Sequence, residues 1–358
     1  MASATNDTIA FITTGGTIGA AFWADMVTLS DNTGAKNVRQ YVDKFIEKNE
    51  LDVKMFSPLN KFSEDLTPSD WALLFKQIDK CIEEGMTRIV IAHGTDTLVY
   101  SSFATSLYYS NKPVRICFTA AFMPPSDPAS DAFINLECAF QTVRGDALPT
   151  GVYFAFRGTF FEVDIFRAQD LKAIGSDQTL FGSVYGRRAA RYAYDSIAGI
   201  SSAGIIAERT TIIAPCVTAD DPAPTEAQLS NPGAAIIQIT CSPGMDIRNI
   251  NYGKERETLV IFENYHSGTI PAIALRPQLE DVKKRFPKTH FVSAPHPYRY
   301  IKFPYETTSA LEKMGLLKIY KDLLPHQLYV LALCETSKGK SIGDTLELVE
   351  PWRFSAPR

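Results

Sequence analysis

The stretch RIVIAHGTDT, residues 88–97, decides the fold class of this sequence. Its first half, Arg88 to Ala92, is apolar and β-favouring and predicts a buried strand, while its second half is a polar turn. Apolar residues at helical spacing predict a helix before it, from about Pro68 to Glu84. A second helix, Leu98 to Ser110, and a strand, Val114 to Thr119, are predicted after it. Strands that alternate with helices pair in parallel in a doubly wound α/β sheet, whose ligands bind beyond the carboxyl ends of the strands.

The beginning of the chain repeats this arrangement. Thr8 to Thr13 predicts a strand, Thr14-Gly15-Gly16-Thr17-Ile18 follows as a glycine turn, and a helix is predicted from Val38 to Lys48. The glycines let the backbone approach a ligand closely. Their spacing fits neither G-x-G-x-x-G nor G-x-x-x-x-G-K-[ST], so the turn does not indicate nucleotide binding.

Hydroxyl and carboxylate side chains follow both strands. Thr17 on its own is best interpreted as a residue that caps a turn, and Asp96 on its own as the N-cap of the next helix. Together, Thr17, Thr95 and Asp96 bring two hydroxyls, a carboxylate and backbone N–H groups to one edge of the predicted sheet. Acyl transfer through an oxygen nucleophile needs these groups and, in addition, a base that activates the nucleophile.

The length predicts two domains, because 358 residues exceed the roughly 250–300 at which one core stops growing. Residues 220–233 are rich in Pro, Ala and polar residues and predict a linker. They separate a larger N-terminal α/β domain, 1–219, from a smaller C-terminal α/β domain, 234–358. In the second domain, strands are predicted over residues 235–240, 258–262 and 289–293, and a helix over 324–333.

Charge and cysteine content disfavour several classes of protein. The 36 Lys and Arg residues against 40 Asp and Glu give a net charge of −4, which argues against nucleic acid as the main partner. No segment has the roughly 18 apolar residues of a membrane span, and the N-terminus lacks the features of a signal peptide. The six cysteines are scattered, without histidines at zinc-ligand spacing. We therefore expect a soluble, cytoplasmic protein with no metal, cofactor or membrane partner.

Several segments, in chain order, resemble the motifs of the bacterial-type L-asparaginase and glutaminase family. They are Thr14–Ile18, Ser63–Pro68, His93–Thr97, Thr119–Pro124 with Ser130–Leu136, and Pro243–Asp246. Matches in this order are far more specific than any one of them. The resemblance implies the asparaginase-like two-domain fold and hydrolysis of a small amino-acid amide by a homodimer or homotetramer.

The resemblance also implies roles for individual residues. Thr17 would be the nucleophile that forms an acyl-enzyme. Thr95, Asp96 and a neutral lysine would form a second catalytic group, in which the lysine accepts a proton from the Thr95 hydroxyl. Asp96 would also bind the substrate ammonium. For substrate binding, Ser63 would hold the α-carboxylate and Glu64 the α-ammonium, while backbone near Ala121 would contact the reacting amide and its oxyanion.

The position of the lysine is ambiguous. Counting without gaps from Gly151 puts Ala168 at the family position, whereas counting back from Phe181 gives Lys172, followed by Asp177 at the family's spacing. We predict Lys172, with Arg167 as a poorer candidate because a guanidinium cannot act as a base. The alternative is that Lys172 is a solvated surface residue.

Two further departures concern the lid and the second domain. The family usually has a Tyr about a dozen residues after the nucleophile, but residues 19–37 contain Trp23 and Ser30 and no Tyr. Residues 262–271 resemble a segment that reaches towards a neighbouring active site in the dimer, with Thr269 where the family has Asn and with His266 in a glycine-rich stretch. His266 is either a ligand contact or, as we prefer, a packed or surface imidazole.

These departures keep three functions open. The first is an amidohydrolase that releases ammonia from L-asparagine, L-glutamine or a related amide, substrates that differ by about one methylene, worth roughly 1–3 kcal/mol. The second is a catalytically impaired homologue that binds an amino acid or acts in signalling. The third is the ammonia-generating subunit of a tRNA-dependent amidotransferase. That version has an additional N-terminal domain, which we do not expect here because the first strand starts at Thr8.

Overall fold

The computed structural model divides the chain into two compact units, one ending at Ala223 and the other beginning at Pro224. The stretch 220–233, predicted as a linker, contains this boundary and a short capped helix. The structure describes the following residues: 7–23, 26–29, 33–158, 162–173, 181–183, 188–193, 204–207, 221–265, 267–294, 305–320 and 323–349.

The first unit alternates strands and helices. Its strands are β1 (Ile9–Thr13), β2 (Ala21–Trp23), β3 (Met26–Thr28), β4 (Val53–Phe56), β5 (Arg88–Ala92), β6 (Arg115–Thr119), β7 (Gly151–Arg157), β8 (Glu162–Arg167), β9 (Leu171–Ala173), β10 (Phe181–Ser183), β11 (Ala190–Ala193) and β12 (Gly204–Ala207). Its helices are α1 (Thr33–Asn49), α2 (Pro68–Glu83), α3 (Leu98–Tyr109) and α4 (Ala132–Arg144).

Eight of these strands form one sheet, in the spatial order β12-β11-β8-β7-β6-β5-β1-β4. The five strands from β4 to β7 are parallel, and β8, β11 and β12 continue the sheet in antiparallel pairs. The chain goes from β1 to β4 on one side and then crosses to β5 on the other side. The order of the strands therefore reverses between β1 and β5, and such a reversal opens a crevice at the carboxyl ends of the strands.

Apolar side chains of these strands and of α1 and α4 fix the sheet. Phe11 of β1 and Phe45 of α1 both pack on Phe140 of α4, with ring centroids 5.6 and 5.4 Å apart. Phe11 and Phe140 are at most 1% exposed, so this cluster keeps water from one face of the sheet. Close packing of this cluster restricts movement of the strands at this face of the sheet.

The second unit is a smaller α/β layer. It contains α5 (Glu226–Ser230), β13 (Ala234–Thr240), β14 (Glu257–Glu263), α6 (Ala272–Arg285), β15 (Thr289–Ala294), α7 (Glu306–Lys313), β16 (Lys318–Ile319), α8 (Pro325–Ser337) and α9 (Ile342–Leu348). Its sheet has the order β13-β14-β15-β16 and all of its pairs are parallel. Phe262 stacks on Phe291 in its core, with ring centroids 6.0 Å apart.

The α/β prediction is confirmed, with differences in detail. The edge strand β4 was not predicted, and α1 begins at Thr33 and not at Val38. The main sheet is also mixed, because β7 and β8 form an antiparallel pair after the parallel strands.

Two observations bear on the other predictions from composition. The five cysteines within the described residues are buried and unbridged, and Cys216 lies outside them. In the part of the chain that the structure describes, every helix is too short or too polar to cross a bilayer.

Candidate active site

The turn that carries Thr17 leaves the carboxyl end of β1 and is fixed by backbone hydrogen bonds. Thr14 N donates to Ala92 O of β5 at 3.0 Å, and Gly16 N donates to Lys61 O at 2.9 Å. Gly15 and Gly16 have φ of 103° and 73°, a region in which only glycine is free of strain. Thr17 follows as the first residue of a 3-10 helix, Thr17–Gly19, and is half-buried.

The turns after β1 and β5 are in direct backbone contact. A Cβ added to Gly16 would lie 2.5 Å from Gly94 N, closer than a Cβ carbon can approach another heavy atom. The two strand ends that flank the reversal of the sheet therefore meet without intervening side chains. As a result, Thr17 and the turn 94–97 occupy fixed positions relative to each other.

Ser63 and Asp96 are in direct contact. Ser63 is 2% exposed, and its Oγ accepts a hydrogen bond from Asp96 N at 3.2 Å and lies 3.4 Å from Asp96 Oδ2. Thr97 Oγ1 donates to Ser63 O at 2.8 Å. The carboxylate of Asp96 remains exposed, as does Glu64, while Thr95 is half-buried. The site thus offers two exposed carboxylates beside a buried hydroxyl, which suits an ammonium group better than an anion.

The loop after β6 carries Ala121, which is fully buried. Asp131, 1% exposed, accepts hydrogen bonds from the backbone N–H groups of Phe122 and Met123 at 2.9 and 3.1 Å. Asn135 donates to Ala120 O at 2.9 Å and accepts from Arg157 N at 2.8 Å. These buried bonds hold the Ala120–Met123 backbone rigid, as a loop that binds a developing oxyanion requires.

His93 is a structural residue of the site. Its ring is 1% exposed and burial lowers its pKa to about 4, although its hydrogen bond to Gly94 O acts in the opposite direction. His93 Nδ1 and Gly94 O are 2.7 Å apart, so the neutral ring carries its proton on Nδ1 and donates it to this carbonyl. His93 therefore fixes the turn after β5 and does not supply a charge at neutral pH.

Lys172 lies on β9, opposite Gly182 of β10. It is half-buried, and burial lowers the pKa of its ammonium group. Strand β9 packs against α3, the helix that begins directly after Thr97. By contrast, Ala168 is fully buried, and the guanidinium of Arg167 lies 5.7 Å from the centre of the Tyr153 ring.

Some predicted residues fall elsewhere. Asp177, Ser30 and His266 lie outside the described residues, and Trp23 ends β2. Thr269 belongs to the second unit, where its Oγ1 is 2.9 Å from Ser267 Oγ. Among the described residues, no cluster of three or more His, Cys, Asp or Glu side chains is arranged to hold a metal.

A cavity of about 190 Å³ adjoins the nucleophile turn between β1, β4 and α1. Its wall includes Gly15, Ile18 and Gly19, on either side of Thr17, together with Arg39 and Ser57. It therefore lies at the carboxyl ends of β1 and β4, beside the reversal of the strand order.

Sequence reasoning missed Lys61, whose backbone joins the nucleophile turn to the segment before Ser63. No motif or spacing marks it. The motif that contains Asp131 and Asn135 was recognised, but their role in fixing the loop after β6 follows only from the hydrogen bonds.

Fold and site together define an α/β protein with hydroxyl and carboxylate side chains at the reversal of a parallel sheet. The family model described as Asparaginase, N-terminal, matches residues 8–197, more than half of the chain. The chain therefore belongs to the asparaginase family, which confirms the resemblance of its motifs.

Curated relatives match shorter parts of the chain. A glutamyl-tRNA(Gln) amidotransferase subunit of Nanoarchaeum equitans is 37% identical over 131 residues, 36% of this chain and 31% of that protein. The L-asparaginase of Thermococcus kodakarensis is 38% identical over 98 residues, 27% of this chain and 29% of that protein. The chain thus spans about a third of the length of the curated relatives it matches.

Solved structures share the fold over nearly the whole chain. The L-asparaginase of Thermococcus kodakarensis superimposes with a TM-score of 0.74 at 19% identity, covering 96% of this chain and 97% of that one. A probable cytoplasmic L-asparaginase from Campylobacter jejuni gives a TM-score of 0.69 at 20% identity, covering 96% and 98%. At this identity the likeness establishes the fold alone.

Proposed function

We propose that this protein is an amidohydrolase that converts L-asparagine, or L-glutamine or a related small amide, to the acid and ammonia. The observation that carries the proposal is the contact of the Thr17 turn with the turn after β5, whose Asp96 is hydrogen-bonded to Ser63. It supports one site in which a hydroxyl nucleophile faces groups that bind an α-amino acid.

In the proposed reaction, Thr17 Oγ1 attacks the carbonyl carbon of the side-chain amide. The tetrahedral oxyanion accepts hydrogen bonds from backbone near Thr95 and Ala121, and its collapse releases ammonia and leaves an ester on Thr17. Water then attacks the ester, which frees the acid and restores the hydroxyl. Membership of the asparaginase family supports this route.

The substrate would be bound at its unreacting end. Exposed carboxylates at Glu64 and Asp96 attract the α-ammonium, and Ser63 donates to the α-carboxylate. Lys172, with its pKa lowered by burial, would accept a proton from Thr95. We propose a homodimer or homotetramer in the cytoplasm, since the resemblance to the family implies this assembly.

The first experiment measures ammonia release from L-asparagine and L-glutamine by the purified protein and by Thr17→Ala. Loss of the nucleophile is expected to lower kcat by about 10³-fold or more. Thr240→Ala, at a strand end of the second unit, is the matched control and should keep full activity. Full activity of Thr17→Ala would exclude the proposed acyl-enzyme.

Lys172→Met tests the base, with an expected loss of about 10²–10⁴-fold in kcat. A lysine must be neutral to act as a base, so activity should rise with pH through the pKa of Lys172, which lies below its ordinary 10.5. This rise of activity with pH should disappear in Lys172→Met. Lys283→Met is the control, because burial lowers the pKa of that lysine as well and it lies in the second unit. Equal activity of Lys172→Met and the parent would displace Lys172 from this role.

Two other functions are outcomes of the same experiment. Thermal stabilisation by an amino acid without ammonia release would favour a catalytically impaired binding or signalling protein. A second enzyme candidate is the ammonia-generating subunit of a tRNA-dependent amidotransferase, because one of the curated relatives is a glutamyl-tRNA(Gln) amidotransferase subunit. Ammonia release that appears only with a companion subunit and aminoacyl-tRNA would favour it.

A further inference from the structure

Lys61 connects the two halves of the proposed site through its backbone. Lys61 N donates to Thr14 O at 3.0 Å and Lys61 O accepts from Gly16 N at 2.9 Å, so it brackets Gly15 in the nucleophile turn. Ser63 follows two residues later and is held by Asp96 N. Only two steps along the chain therefore lead from Lys61, which bonds to the nucleophile turn, to Ser63 in the substrate-binding turn.

The side chain of Lys61 fixes this short connection to a helix. Lys61 Nζ is 2.9 and 3.0 Å from the two carboxylate oxygens of Asp70, a residue of the first turn of α2 that is 5% exposed. Asp70 is held independently, because it also accepts hydrogen bonds from Thr67 N at 2.8 Å and Thr67 Oγ1 at 2.9 Å. The ammonium thus binds to a carboxylate that the capping box of α2 keeps in place.

Without this ion pair, the connection would be held less firmly. Asn60 and Lys61 are exposed, so the packing of apolar side chains does not fix them. The two backbone hydrogen bonds would still fix Gly15, and Ser63 would keep its hydrogen bonds with Asp96 N and Thr97 Oγ1. The short path between them would lose the side-chain contact that ties it to α2 and would be held less rigidly. A displacement of about 1 Å between reacting groups costs on the order of 10²-fold in rate.

We propose that Lys61, through its ion pair with Asp70, is a positioning residue that sets the distance from Thr17 to the turn Ser63–Glu64 and thereby the length of amide that the site accepts. The proposal rests on the proposed function, since Ser63 and Glu64 hold the unreacting end of the substrate. Asparagine and glutamine differ by one methylene between that end and the reacting amide. A rigid distance favours one of them, and a variable distance accommodates both.

The test compares kcat/KM for L-asparagine and L-glutamine in the parent, Lys61→Met and Lys61→Arg. A methylene is worth about 10–200-fold in discrimination, so we expect Lys61→Met to reduce the ratio between the two substrates by at least about threefold. Lys61→Arg keeps the charge and a bidentate contact and should restore the ratio to within about twofold of the parent. Asp70→Asn should have the effect of Lys61→Met, and the double variant should add nothing further.

Lys112→Met is the matched control. Lys112 lies 3.6 Å from Asp79 of the same helix α2, so this variant also removes a lysine that pairs with α2. It should leave the substrate ratio unchanged, whatever it does to the midpoint of thermal unfolding. Lys61→Arg also keeps the test valid if Lys61→Met folds poorly.

Binding provides a readout that does not need turnover. The dissociation constants of L-aspartate and L-glutamate, measured by calorimetry, should converge in Lys61→Met and not in Lys112→Met. If the parent protein releases no ammonia from either amide, the proposed function is rejected. An active parent whose substrate ratio and product affinities are the same in Lys61→Met, or one that does not discriminate between the two amides, would overturn the inference alone.

Discussion

The two sheets of this protein end their strands in similar residues but use them differently. In the second sheet the polar side chains at the strand ends bond to one another: Thr240 donates to Glu263 at 3.0 Å, and Ser293 to Asn264 at 2.6 Å. In the first sheet, the strand order reverses between β1 and β5, and the carboxylates of Asp96, in the turn after β5, and of Glu64 remain exposed. The order of the strands in the second sheet follows the chain without a reversal.

The comparison teaches that strand order, as well as residue type, decides whether polar groups face a ligand or each other.

Two glycines with similar positive φ offer the strongest test of this difference. Gly16 has φ 73° and Gly244 has φ 76°, but only the first lies against another backbone, since nothing lies within 4 Å of a Cβ on Gly244. Gly16→Ala is expected to lower kcat/KM by about 10²-fold or more, because the turns after β1 and β5 must separate. Gly244→Ala should cost about 1–2 kcal/mol of stability from the positive φ and leave activity unchanged. Ammonia release and thermal unfolding of both variants measure this, and an active Gly16→Ala would show that the contact is dispensable.

The side-chain amides of one helix residue in each unit each fix a neighbouring loop. They test whether a rigid loop is more important for activity at the first sheet than at the second. Asn135 of α4 bonds to Ala120 O and Arg157 N, and Gln278 of α6 bonds to Met245 O at 3.3 Å and Ile247 N at 2.9 Å. Replacing either by Ala leaves backbone groups without their partners and should cost about 1–3 kcal/mol in the free energy of unfolding. Denaturant unfolding checks that the two costs are similar.

Activity should separate these two variants. Asn135→Ala is expected to lower kcat/KM by about tenfold, because the loop that carries Ala121 loses a fixed position. Gln278→Ala should keep the kcat/KM of the parent. Equal activity of both variants would mean that the loop after β6 holds its shape without Asn135.

The smallest expected effect is the acid sensitivity of two ion-paired aspartates. Burial raises the pKa of Asp70, but the hydrogen bonds from Lys61 and Thr67 outweigh it, so the net pKa lies below the ordinary 3.8. Arg248 lowers the pKa of the exposed Asp246 to about 2. A carboxyl whose pKa is lowered by folding stabilises the fold above its ordinary pKa, and this stabilisation is lost as the pH falls through the folded value. Asp70→Asn should therefore flatten the fall of Tm towards about pH 3.

High salt is expected to weaken the stabilising effect of Asp246 but not that of Asp70. Exposed pairs are screened at about 1 M salt, where the Debye length is about 3 Å, so the effect of Asp246→Asn on Tm should vanish there. The effect of Asp70→Asn should persist, because that carboxylate is buried. Thermal unfolding at low and high salt tests this, and complete screening at Asp70 would contradict its burial.

The sequence predicted the elements with strong local signals. β5 has the predicted bounds of Arg88–Ala92, and α2 starts at the predicted Pro68 because Thr67 and Asp70 form a capping box there. The convergence of the turns after β1 and β5 was also predictable, since parallel strands end at one edge. These features depend on neighbouring residues in the chain, which a sequence displays directly.

Other features depend on pairing between distant segments. β4 has only four residues, one exposed and three half-buried, and its place beside β1 follows from the direction of a crossover. The role of Lys61 requires three partners that lie between 9 and 47 residues away in the chain, a separation that no spacing rule covers. For Lys172, the sequence could suggest the residue, but only the register with Gly182 defines its strand. That it is the catalytic lysine stays a prediction.

The backbone contact between Gly16 and Gly94 has a consequence for protein engineering. The turns 14–17, 61–64 and 93–97 share hydrogen bonds and one glycine contact, so each is shaped to fit the other two. A chimera that imports one of them from a relative would combine parts that were never selected together. Exchange of specificity between members of this family therefore calls for transplanting all three turns as a single module.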